Sequence, residues 1–142
     1  MQSRIKQLVK ELGIKVIYSD IVSNGFFGFK NNTAIIIINN NLGEIETSLT
    51  LLHETAHFLN GDCDKYITNH FQNDNLEFEA NKYMIQEVMK MLNDEYDFTS
   101  DTNYQNIIDT LSLPYHLDGI IIDEFNNIIA DKFGMIPYQE LD

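Results

Sequence analysis

The sequence predicts an α+β fold: a small, mostly antiparallel sheet packed on a central helix, followed by a helical C-terminal part. Three observations carry this. Apolar residues recur at helical spacing near the N-terminus and again from residue 44 onward. Between them, residues 14–39 read as short β-branched and aromatic runs separated by Asn- and Gly-bearing turns. The longest uninterrupted apolar run, Ala34 to Ile38, has strand length and is far too short to span a membrane.

In the opening segment, Ile5, Leu8, Val9 and Leu12 repeat at i, i+3, i+4 and i+7, with Ser3 as the expected cap and Gly13 as the stop. Three strands follow at Ile14–Tyr18, Phe26–Phe29 and Thr33–Asn39, the last two expected antiparallel across Asn31-Asn32. A second helix is expected from Glu44 to Asn60, with Ile45, Leu49, Leu52, Ala56 and Leu59 on its buried side and Gly61 ending it. A third should start near Asp74 and run to about Leu92. Beyond Asp94 the pattern stays helical: Tyr104, Ile107, Ile108 and Leu111 form one stripe, and Pro114 opens a segment rich in isoleucine, with Phe125 among its apolar positions.

The 142 residues suffice for one domain with a real core. Acidic residues outnumber basic ones 22 to 9, a formal net charge of −13 that repels phosphate backbones and anionic lipid headgroups. No direct contact with nucleic acid or membrane is expected. The acidity serves solubility and also suits a basic partner. The N-terminal MQSRIKQLVKELG has neither the apolar core nor the cleavage site of a secretory signal, and the single Cys63 allows no intrachain disulfide, so the expected location is cytoplasmic.

The stretch from Thr50 to Asp64, TLLHETAHFLNGDCD, holds an HExxH motif. With 4 His in the chain, composition alone predicts roughly 0.008 such matches. On a helix, positions i and i+4 share one face, so His53 and His57 can offer imidazole nitrogens to one zinc ion, while Glu54 beside them is free to handle a water. A plain amphipathic helix with two surface histidines is the alternative. A catalytic zinc needs a third protein ligand. Cys63 lies six residues after His57, where metzincins place a histidine, but their glycine is Asn60 here and no Met-turn follows. Glu77 and Glu79, on the next helix, are the carboxylate candidates. Glu77 could instead close a capping box on Asp74, and Glu79 could be a solvated surface acid.

From Gly13 to about Leu92 the chain resembles the ImmA/IrrE family of zincin-like metallopeptidases, on the segments GIKVIYSD, IIIIN, LLHETAHFLNGDCD and LEFEANKYM, in that order. The resemblance implies a zincin-like core over residues 1–93 and a helical extension over 94–142 of a single domain. It also implies that the third ligand is the glutamate of an E-x-x-x-N or E-x-x-x-D pattern, here Glu77 with Asn81, giving a gluzincin-like His₂Glu set of His53, His57 and Glu77. Asn81, one turn on, could then orient the carboxylate. The chain departs from the family where KYMIQEVMKML replaces the usual small-residue helix ending in Leu-Met-Pro, so the substrate-side wall differs there.

In this scheme Glu54 is the general base and acid of amide hydrolysis. Oxyanion donors are unranked among His70, Tyr83, Tyr104, Tyr115 and His116. The resemblance further implies an antirepressor protease of a mobile element or stress response, whose partner is a helix-turn-helix repressor. A binding antirepressor that blocks its partner without hydrolysis is the rival reading, and the intact HETAH favours the enzyme. A helix-turn-helix DNA reader over 104–122 is disfavoured, because no Lys or Arg lies between Lys90 and Lys132.

Overall fold

The structure, a computed structural model, describes residues 1–62 and 70–135, with only the backbone for 70–73. Its elements are α1 (Gln2–Glu11), β1 (Lys15–Ser19), β2 (Gly25–Lys30), β3 (Thr33–Asn39), α2 (Glu44–Leu59), α3 (His70–Tyr96), α4 (Tyr104–Leu111), a 3-10 turn (Tyr115–Leu117) and α5 (Asp118–Lys132). They form two compact units, Met1–Met84 and Ile85–Asp142, with α3 running through the boundary.

In the first unit the sheet has the order β1-β3-β2. β2 pairs antiparallel with β3, as the short connection between them requires, while β1 pairs parallel with β3, so the sheet is mixed rather than mostly antiparallel. The reason is topological: β2 is sent to the far edge, and β3 returns along the direction of β1. The β2–β3 hairpin turns on Asn31 and Asn32 at φ 52° and 66°, the pair of left-handed residues that a tight two-residue turn demands and asparagine tolerates. On β3, Ala34, Ile36 and Ile38 are buried and Ile35 and Ile37 are half-buried, so the apolar run supplies both faces of a central strand.

α2 packs against β2 and β3, and α1 packs against α2 through a face that includes Ile5 and Val9. Contact with the sheet is close at Gly25. A Cβ built there would sit 2.8 Å from Thr50 Cγ2 and 2.9 Å from the Ile37 carbonyl, so glycine lets the strand seat against the helix one turn before His53. The opening helix starts two residues earlier than a Ser3 cap implies. Met1 is the cap, its carbonyl accepting from Ile5, and Ser3 lies exposed inside the first turn. Leu59 is exposed, not buried, because in the last turn of α2 packing against the sheet passes to Phe58, whose ring meets Phe27 edge-on at 5.9 Å.

α3 begins at His70, ahead of the expected start at Asp74, and extends past Leu92 to Tyr96; no Gly or Pro interrupts it. Asp74 is therefore inside the helix and is no N-cap, which removes the capping-box role for Glu77. In the second unit, Ile107, Ile108 and Leu111 of α4 and Ile121 and Phe125 of α5 are buried. Phe98 and Tyr104 both rest on the Phe125 ring, at 5.6 and 5.9 Å. Lys132 donates to Asp97 at 3.1 Å and to the Phe98 carbonyl. Among the described residues, no helix is long and apolar enough to cross a membrane.

Candidate metal centre

α2 carries His53 one turn after Thr50 and His57 a turn further on. Glu44 and Glu46 in its first turn suit the positive end of the helix dipole. Beyond the last turn the chain closes with a Schellman turn: Gly61, at φ +66°, donates its N–H to the Phe58 carbonyl at 3.1 Å, and Asp62 donates to the His57 carbonyl at 3.0 Å.

α3 brings Glu77 to the same place. Its carboxylate spans both rings, with Oε2 2.9 Å from His53 Nε2 and Oε1 3.0 Å from His57 Nε2, and the two Nε2 atoms are 3.2 Å apart. These three side chains form a group that could hold a metal ion. The fit is good on two counts. Ligand atoms on a tetrahedral ion with bonds of about 2.0–2.1 Å lie roughly 3.3–3.4 Å apart, close to the spacings seen. Two imidazole nitrogens and a carboxylate are also a common donor set for catalytic zinc. The side chains of His53 and Glu77 keep 18% and 47% of their surface exposed, so the cluster is reachable from solvent, whereas that of His57 keeps 5%.

Glu54 is buried beside the cluster. Burial lifts its pKa; the imidazoles of His53 and His57 pull it down and Glu77 pushes it up, and the balance stays above the ordinary carboxylate value. For His57, burial works against the charged form, yet hydrogen bonds with Glu77 and Asp62 and the charges of Glu54 and Glu77 outweigh it and raise the pKa.

Glu79, two residues along α3, is exposed and lies outside the cluster. Asn81 is half-buried and makes no hydrogen bond to Glu77 among the described residues, so the orienting role expected of it is not seen. A residue that the sequence reading missed stands against His57: Asp62, with 0% exposure, meets His57 Nδ1 through Oδ2 at 3.0 Å. The signal was present as an acid directly after the glycine that ends α2. Cys63 lies outside the described residues, as does the side chain of His70. Of the other oxyanion candidates, Tyr83 is half-buried in the unit that holds the cluster. Tyr104, Tyr115 and His116 belong to the other unit, where Tyr104 rests on Phe125 and Tyr115 on His116.

Comparison with known proteins agrees with the geometry. A family profile described as the IrrE N-terminal-like domain, Peptidase_M78, matches residues 9–104. No curated protein and no solved structure matches the chain significantly. The profile spans more than half of the chain, including both histidines and Glu77, and the protein therefore belongs to the IrrE N-terminal-like family of peptidase-type domains.

Proposed function

We propose that this protein is a zinc-dependent endopeptidase that inactivates a basic helix-turn-helix transcriptional repressor by cleaving it. The observation that carries the reading is the convergence of His53 Nε2, His57 Nε2 and the Glu77 carboxylate beside a buried Glu54. His53, His57 and Glu77 would hold the zinc, which when bound supplies Lewis acidity to a peptide carbonyl and to the attacking water. Glu54 takes the proton from that water and passes it to the leaving amine.

Support for a basic partner comes from the distribution of charge. Residues 85–142 contain twelve Asp and Glu against only Lys90 and Lys132. Each lysine is engaged by an acid, Lys90 by Glu87 at 3.4 Å and Lys132 by Asp97 at 3.1 Å. A field of that sign attracts a positively charged protein and repels DNA.

The test is incubation of the zinc-loaded protein with candidate helix-turn-helix repressors, with and without chelator, reading fragments by mass spectrometry. Chelator-sensitive cleavage at a defined bond is expected. Relief of repression with the repressor intact would instead favour a binding antirepressor.

A further inference from the structure

We propose that Asp62 is a positioning residue for the metal centre, and that the Gly61 turn exists to deliver it. This rests on the reading of His53, His57 and Glu77 as metal ligands. A Schellman turn brings the residue after its glycine back over the third-last residue of the helix, usually for an apolar contact. Here those two positions are Asp62 and His57, and the contact is a hydrogen bond from Nδ1 of the ring to a carboxylate. One backbone bond, Asp62 N–H to the His57 carbonyl, and one side-chain bond, both at 3.0 Å, tie the same pair together.

The consequence is a fixed tautomer. With the Nδ1 proton held by Asp62, the lone pair of neutral His57 is on Nε2, the atom that faces His53 and Glu77. The carboxylate also makes the ring a stronger donor. Asp62 is wholly buried, so its bond to His57 is not loosened by water as a surface pair would be. The delivery depends on backbone shape. At φ +66°, Gly61 adopts a conformation open to glycine, tolerated by asparagine and strongly disfavoured for a β-branched residue.

The experiment is zinc affinity by chelator competition for the full chain and for Asp62→Ala, Asp62→Asn, Gly61→Asn and Gly61→Val, with metal-free thermal unfolding of each. Asp62→Ala should lose about 10–100-fold in affinity, the range for removing an orienting partner of a metal ligand. Asp62→Asn keeps an acceptor oxygen and should recover part of that loss. Gly61→Asn should bind zinc like the parent, and Gly61→Val should fall with Asp62→Ala. A purely structural Asp62 would lower the unfolding temperature and leave zinc affinity unchanged, and that result overturns the assignment. Should the variants fail to fold, ring nitrogen NMR of the zinc-loaded parent decides: a proton on His57 Nδ1 supports the assignment, and zinc on Nδ1 overturns it. A parent that binds no zinc removes the metal reading and this assignment together. A parent that binds it no better than a folded Asp62→Ala removes this assignment alone.

Discussion

His53 and Glu77 are separated by 24 positions in the chain, yet Nε2 of one lies 2.9 Å from Oε2 of the other. Among the described residues, the candidate metal-binding group is thus completed from α3. Glu77→Gln should weaken zinc binding at least about tenfold, because a neutral amide replaces the only anionic donor in the group. Glu79→Gln should leave it nearly unchanged, since that side chain is exposed and outside the group. Elemental analysis of the dialysed variants reads this directly, with about one zinc per parent chain and most of it lost in His53→Ala or His57→Ala. Full metal retention in either histidine variant would be incompatible with the site.

The proposed mechanism gives Glu54 a different part, that of the base. Replacement by Gln preserves size and helix propensity but removes the base. Zinc content should stay near that of the parent, while cleavage of the repressor falls at least about a hundredfold, the low end for a positioned general base. Relief of repression by Glu54→Gln equal to that of the parent, at equal zinc occupancy, would show that hydrolysis is not the mode of action.

The raised pKa of His57 gives a pH dependence with a definite sign. In the metal-free protein the folded state holds this proton more tightly than the unfolded chain does. The resulting stabilisation is therefore complete below the ordinary histidine value of 6.5 and is lost as pH rises through the folded value. Glu54 acts in the same direction from its ordinary value of 4.5 upward. The unfolding temperature measured in chelator should fall as pH rises above the ordinary histidine value of 6.5, where most carboxylates have already titrated. With zinc present the trend should reverse, because the His57 proton must leave Nε2 before the ion can bind there, so affinity increases with pH. Parallel pH trends with and without zinc would contradict this account.

Gly25 offers a test of how the sheet seats the site helix. Gly25→Ala puts a methyl 2.9 Å from the Ile37 carbonyl, which is backbone and cannot rotate aside as Thr50 Cγ2 can. Destabilisation of about 1–3 kcal/mol is expected, the usual cost of overpacking, read by denaturant unfolding of the metal-free protein. Gly28→Ala, on the same strand, has nothing within 4 Å of the added atom and serves as the control.

Much of this protein is determined locally by its sequence. The i, i+4 spacing of His53 and His57 is a property of any α-helix, so both rings share a face before any tertiary contact forms. Among the described residues, the five α-helices, the three strands and the Asn31-Asn32 turn follow from side-chain periodicity and from which residues tolerate a positive φ. Gly61 as the end of α2 follows from the same backbone rule.

What the tertiary structure decided are the relations that no period in the chain encodes. Glu77 and Glu79 have the same chemistry and differ by two positions; packing of α3 turns one toward the histidines and leaves the other in water. β1 joined β3 parallel because the hairpin occupied the other edge, a matter of strand order and not of composition. Asp62 became a partner of His57 because the Schellman turn folds the chain back over the ring, whereas Asn81, one helical turn from Glu77, makes no hydrogen bond to it among the described residues. Local propensity is written in neighbours along the chain; selection among chemically equivalent side chains waits for the elements to pack.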